Sequence, residues 1–190
     1  MRIFVAVELP GSIKEKLSEI EQRLQGTGNR VRWVKVSSLH LTLKFLGEIK
    51  EEQVEEVFAV SQKVAKELSP FVIELTGVGA FPNPSSPRVI WVGVKKGQER
   101  LEDLALHLDE GLSQAGFPAE KRKWIPHLTL GRVKELREAE KLRQLILQEK
   151  ETYVGEIEVK QFSVIKSRLT PTGPLYTILR SFPGVASNVL

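Results

Sequence analysis

The chain has 190 residues, of which 41% are hydrophobic and 27% are charged, and this composition is typical of a globular protein rather than a disordered one. It contains no cysteine, which excludes disulfides, thiol nucleophiles and metal sites built on sulfur. The formal charge of +4 favours an anionic partner only weakly, because basic and acidic residues are interleaved.

The sequence offers no membrane or export signal. No apolar run approaches the length that crosses a bilayer, and the strand-like pattern at the start is too short for a signal peptide. We therefore expect a cytoplasmic protein that does not bind a membrane.

Strand and helix patterns alternate along the first two thirds of the chain. Hydrophobic periodicity distinguishes them, since strands repeat every two residues and helices every three to four. The predicted elements are a strand at 2–7, a helix at 13–24, strands at 31–36 and 40–45, a helix at about 51–68, strands at 71–75 and 89–94 and a helix at 101–115.

The last third repeats this alternation. Loops rich in proline and glycine separate its strands, as expected for turn chemistry. The predicted elements are a strand that starts at His127, a helix at about 136–146 and strands at about 155–166 and 175–181.

A tetrapeptide occurs twice in this pattern. His40-Leu41-Thr42-Leu43 returns 87 residues later at 127–130, and two of the three histidines of the chain lie in this context. By chance a histidine would precede Leu-Thr-Leu on the order of once in a few thousand times. The repeat therefore indicates two related segments.

More than the tetrapeptide is repeated, because each copy is followed by a helix, a strand, a loop rich in proline and another strand. This internal duplication predicts a single bilobal domain over residues 1–190 with an α+β fold. Each of two pseudo-symmetric lobes would be a mainly antiparallel sheet with helices on its outer face. The two motif strands would face a central cleft.

The motifs carry groups suited to phosphoryl chemistry. Strand alternation places His40 and Thr42 on one face and the leucines on the other. Paired imidazoles can divide acid and base roles near neutral pH, and hydroxyls can donate to phosphate oxygens. No metal or cofactor is needed for this, and a zinc site would require a third ligand that neither motif supplies.

These residues and their flanks resemble the 2H phosphoesterase superfamily. The opening run 2–10, His40-Leu-Thr-Leu-Lys-Phe-Leu-Gly47 and Pro126-His-Leu-Thr-Leu-Gly-Arg132 look most like the RNA 2′,3′-cyclic phosphodiesterases, also described as 2′-5′ RNA ligases. The resemblance implies hydrolysis of a terminal cyclic phosphate to a 2′-phosphomonoester.

The resemblance also implies the roles of four residues. His40 would be the general acid and His127 the general base, with Thr42 and Thr129 holding the phosphate. The near-symmetry of the motifs means that the sequence itself does not assign the two histidine roles.

Three further residues are candidates for substrate binding. Lys44 shares the face of His40 under strict alternation, whereas Arg132 would be turned away from His127 unless a bulge at Gly131 reversed it. Trp124 flanks the second motif and could stack a base. A solvated charge or buried packing is the ordinary alternative for each. His107, off the apolar stripe of its helix, is expected to be a bystander.

Two other functions remain open at this point. The same residues would serve a phosphodiesterase acting on small cyclic nucleotides, and a non-catalytic module could grip a terminal phosphate. The reverse reaction, 2′-5′ ligation, is available to the same site. The expected partners are RNA ends or nucleotide cyclic phosphates, with no obligatory protein partner and a monomeric chain.

Overall fold

The structure is a computed structural model that describes residues 1–121, 124–171 and 173–185. Its strands within these residues are β1 Arg2–Glu8, β2 Arg30–Trp33, β3 His40–Glu48, β4 Phe71–Phe81, β5 Val89–Lys96, β6 His127–Glu135, β7 Tyr153–Val159, β8 Gln161–Thr170 and β9 Gly173–Pro183. The helices are α1 Gly11–Gln25, α2 Val54–Ala65, α3 Gln98–Gln114 and α4 Ala139–Gln148, with 3₁₀ turns at Val36–Ser38 and Glu51–Gln53.

The described strands form two antiparallel sheets, which confirms the predicted α+β fold. One sheet has the order β3-β1-β8-β9 and the other β2-β6-β5-β4-β7. The duplicated halves exchange strands, because β3 of the first half shares a sheet with β8 and β9 of the second. Strand β6 is flanked by β2 and β5 of the first half, whereas β3 pairs with β1 of its own half, which in turn pairs with β8.

The helices cover the outer faces of the sheets. Helix α2 packs against β8 and β9, α3 against β3 and β4, α1 against β7, and α4 against β4. One continuous apolar core lies beneath them, and the four motif leucines, at positions 41, 43, 128 and 130, are at most 2% exposed. Burial of these leucines leaves the opposite faces of both motif strands free for polar groups. No helix in the described part of the chain is long and apolar enough to cross a bilayer.

Some predicted boundaries were wrong. The strand expected at 155–166 is two strands, because the chain leaves one sheet after Val159 and enters the other at Gln161. Strand β3 continues past the predicted end at residue 45 as far as Glu48, and its Gly47 pairs with Ile3 of β1. The helix expected from 136 begins at Ala139.

Candidate active site

The two motif strands belong to different sheets, yet β3 and β6 contact each other. In β3 the register pairs His40 with Glu8 and Thr42 with Ala6, so the imidazole and the hydroxyl share one face.

The next paired residue in β3 is Lys44, opposite Val5, and the ladder omits Leu43. Leu43 is the extra residue of a β-bulge, which reverses the side-chain alternation for the residues directly after it, Lys44 and Phe45.

Strand β6 has a bulge at the equivalent position. Its register pairs Thr129 with Trp91 and Gly131 with Ile90, so Leu130 is the extra residue. Arg132 then lies opposite Val89, on the face of His127 and Thr129. The expected bulge is present one residue earlier than predicted, and it brings Arg132 to the site face as required.

The bulge at Leu43 in β3 moves the Lys44 side chain off the site face. This corrects the expectation that Lys44 shares the face of His40. Lys44 is only 5% exposed, forms an ion pair with Asp109 of α3 and donates to the carbonyl of Pro118 at 2.8 Å. Phe45 takes the site-face position that Arg132 occupies in β6. The two motifs therefore differ in charge at equivalent positions.

Each imidazole is held by an equivalent hydrogen bond to a backbone carbonyl oxygen. Nδ1 of His40 lies 2.7 Å from the carbonyl oxygen of Ser38, and Nδ1 of His127 lies 2.7 Å from that of Ile125. A carbonyl oxygen can only accept, so Nδ1 carries the proton in each ring. Each Nε2 is left to take up or release a proton.

Aromatic side chains surround His40. Its ring centroid lies 4.7 Å from that of Phe4 and 5.1 Å from that of Tyr176, which meets it edge-on. Burial lowers the pKa of His40 below the usual 6.5, and the nearby Lys14 ammonium lowers it further against the opposing effect of the Ser38 hydrogen bond. The environment therefore favours a neutral imidazole in the free protein.

His127 has a different set of neighbours. Its ring meets Phe81 edge-on at 5.0 Å between centroids, and Trp91 lies at 6.5 Å. Burial is again the main cause that lowers the pKa of His127, and the positive charge of Arg132 adds to it. This ring is therefore influenced by the charge of a cation on its own strand.

Trp124 lies elsewhere. It is half-buried, packs against the main core and lines an outer groove with Lys44 and Asp109. His107 is exposed on α3, as expected for a bystander. Whether Trp124 contacts a substrate stays a prediction.

Tyr176 of β9 is the site residue that sequence reasoning missed. It touches His40 in one sheet, and burial raises its pKa while the charges of Arg2, Arg132 and Arg32 lower it. The charge of Arg132, from the other sheet, acts on Tyr176, and β3 contacts β6, so the two motif faces lie near each other. No sequence periodicity marks Tyr176, because its place beside His40 depends on the order of the strands.

The two motif faces carry two imidazoles whose Nε2 atoms have no hydrogen-bond partner among the described residues, a threonine beside each imidazole and the exposed side chain of Arg132. Among the described residues, no three His, Cys, Asp or Glu side chains are grouped so that they could hold a metal ion. Such a set of groups can transfer protons on both sides of an anion and donate hydrogen bonds to it.

The sequence of this chain is similar to those of known proteins. A family model described as LigT like Phosphoesterase matches the chain twice, over residues 7–91 and 92–176. An RNA 2′,3′-cyclic phosphodiesterase of Archaeoglobus fulgidus is 42% identical over 182 residues, covering 96% of this chain and 99% of that protein. Another, from Methanocaldococcus jannaschii, is 36% identical over 182 residues and covers 96% and 100%.

The fold is also similar to solved structures. A crystal structure of a protein from Thermus thermophilus superimposes with a TM-score of 0.81 at 31% identity, covering 96% of this chain and 97% of that one. The similarity thus extends over nearly the full length in both sequence and structure.

Proposed function

The chain belongs to the LigT-like phosphoesterase family, and we propose that it is a hydrolase that opens the 2′,3′-cyclic phosphate at an RNA end and leaves a 2′-phosphomonoester. The observation that carries this proposal is the pair of imidazoles, each fixed through Nδ1 to a backbone carbonyl at 2.7 Å. The names of relatives that match nearly the full length support the substrate.

The reaction needs a base and an acid on opposite sides of one phosphorus. Nε2 of His127 accepts a proton from water, whose oxygen forms the new bond to phosphorus. The bond from phosphorus to the 3′-oxygen breaks, and His40, which enters the step as an imidazolium, gives that oxygen the proton of its Nε2. Cations favour the neutral form of both rings, Arg132 at His127 and Lys14 at His40, so the base role of His127 rests on the family resemblance.

Thr42 and Thr129 hold the non-bridging oxygens of the phosphate. Each hydroxyl donates one hydrogen bond to oxygens whose negative charge grows in the transition state. Arg132 is exposed on the same face as Thr129 and adds positive charge for the anionic substrate. These groups orient the phosphate, and the histidines transfer the protons.

The decisive experiment is incubation with an oligonucleotide that ends in a 2′,3′-cyclic phosphate, with EDTA present. Mass spectrometry and phosphorus NMR identify the product end, and we expect a 2′-phosphate. A mononucleoside 2′,3′-cyclic phosphate is the second substrate. The single variants His40→Ala and His127→Ala are the inactive controls.

Each other result has a defined meaning. Preference for the mononucleotide would favour a small-nucleotide phosphodiesterase. Binding of the oligonucleotide without turnover would favour the non-catalytic module. Turnover that disappears in EDTA and returns with added zinc or manganese would overturn the metal-independent mechanism. Joining of a cyclic-phosphate end to a 5′-hydroxyl end would add 2′-5′ ligation to the activities of the site.

A further inference from the structure

The ion pair of Lys44 lies behind the motif of β3, on the face opposite His40. The Lys44 side chain is 4% exposed and that of its partner Asp109 is 20% exposed. A buried ammonium is costly unless it is paired and hydrogen-bonded. Lys44 meets this requirement with Asp109 and with the carbonyl of Pro118 at 2.8 Å, so its position is tightly defined.

Asp109 extends this contact to a third segment. The carboxylate oxygen that pairs with Lys44 also accepts the backbone N–H of Glu120 at 3.0 Å. One ammonium and one carboxylate therefore connect β3, α3 and the segment at 118–120 that follows α3. That segment precedes β6 along the chain.

The same contacts lie next to the entrance of β6. Lys44, Asp109, Glu120 and Trp124 together line an outer groove of about 320 Å³. The residue after Trp124 is Ile125, whose carbonyl oxygen lies 2.7 Å from Nδ1 of His127. The groove lined by the ion pair thus reaches Trp124, the sequence neighbour of the residue whose carbonyl orients one imidazole.

Lys44 is equally close to the other motif. It follows Thr42 across the bulge, and its backbone is paired with Val5 of β1. A shift of Lys44 would move the strand that carries His40 and Thr42 relative to the segment that enters β6. Catalysis by two groups on opposite sides of one phosphorus is sensitive to such a shift, since a misplacement of about 1 Å can cost roughly 100-fold in rate.

We infer that Lys44, acting with Asp109, is a positioning residue that sets the spacing between the His40 strand and the segment entering the His127 strand. The inference rests on the proposed two-histidine function. It reassigns Lys44 from substrate binding to the support of both histidines. The equivalent position in the second motif is Gly131, which has no side chain for such a role.

The test uses the full chain and the cyclic-phosphate oligonucleotide. In Lys44→Met we expect kcat to fall roughly 10-fold to 100-fold while KM stays near that of the wild type, because the site-face groups are intact. Lys44→Arg keeps the charge and the donors, so it should retain most of the kcat that Lys44→Met loses.

A paired replacement separates positioning from stability. Lys44→Met with Asp109→Leu replaces the ion pair with apolar groups, an exchange that is often neutral or stabilising. We expect Tm to recover toward the wild type while kcat stays low. Recovery of both quantities would show that the pair serves stability alone and would overturn the inference.

Arg23→Met is the matched control. It removes the ion pair of Arg23 in α1 with Glu149, in which Nε lies 2.6 Å from a carboxylate oxygen. We expect a lower Tm and an unchanged kcat. Wild-type protein without turnover would defeat the proposed function itself, whereas active wild type with wild-type kcat in Lys44→Met would defeat only the positioning role.

Discussion

The two motif strands are alike in backbone and unlike in surroundings. Both have a bulge after the threonine, at Leu43 and at Leu130. Both fix the histidine by an Nδ1 contact of 2.7 Å to the carbonyl two residues before it. The duplicated backbone therefore supplies two imidazoles in the same local geometry.

The side chains that follow each bulge differ. On the site face, Phe45 of the first strand corresponds to Arg132 of the second. On the buried face, Lys44 corresponds to Gly131, where an added Cβ would lie 2.8 Å from Trp33 of β2. The motif thus defines which groups can act, and its neighbours determine how the two histidines differ.

Removal of either imidazole should have the largest effect. Because both histidines act on one phosphorus, His40→Ala and His127→Ala should each lower kcat by roughly 100-fold to 10,000-fold. The double variant should be little worse than either one, since groups that act as a unit are not additive. Single-turnover kinetics on the cyclic-phosphate oligonucleotide measure this.

His107→Ala is the control for this comparison. The residue is exposed on α3, so the kcat of this variant should equal that of the wild type. If one motif histidine proved dispensable, or if the two losses multiplied in the double variant, the two strands would not form one site.

The threonines should show a smaller and more even effect. Thr42→Ala and Thr129→Ala each remove one hydrogen bond to a charged oxygen, worth about 1.5–3 kcal/mol. We expect kcat/KM to fall roughly 10-fold to 100-fold in each. The corresponding Thr→Ser variants keep the hydroxyl and should recover much of the loss. A normal rate in one alanine variant would restrict phosphate binding to the other strand.

Substrate length should reveal the charge difference between the strands. At the two corresponding site-face positions, the first strand has the uncharged Phe45 and the second has the charged Arg132. An oligonucleotide brings further phosphates to the cleft. We expect kcat/KM to be higher for the oligonucleotide than for the mononucleoside cyclic phosphate, and the advantage to shrink as salt rises. Arg132→Gln should weaken this salt dependence, whereas Phe45→Leu should leave it unchanged. Equal, salt-insensitive rates on both substrates would contradict this interpretation.

Much of the geometry of the candidate site was predictable because it depends on local pattern. The repeat identified His40 and His127, and alternation correctly placed Thr42 and Thr129 beside them and the leucines in the core. The face of Lys44 was not predictable, because a single extra residue reverses the alternation after it. Tyr176 was not predictable either, since its contact with His40 requires β9 to share a sheet with β3.

The smallest expected effect is also the one that assigns the histidine roles. Burial lowers the pKa of both imidazoles, with Lys14 adding to this at His40 and Arg132 at His127. The pH profile of kcat/KM should be bell-shaped, because the base must be neutral and the acid protonated. Its acid limb follows the base and its basic limb follows the acid, and both should lie at lower pH than unperturbed histidines would give.

Removing each cation should move one limb only. Arg132→Gln raises the pKa of His127, so as the base this residue would carry the acid limb to higher pH and leave the basic limb in place. Lys14→Gln raises the pKa of His40 and should move only the basic limb to higher pH. NMR titration of the two imidazoles checks that each variant shifts the intended ring. If the limbs responded in the opposite order, His40 would be the base and His127 the acid, because the apparent pKa of each limb follows the group that controls it.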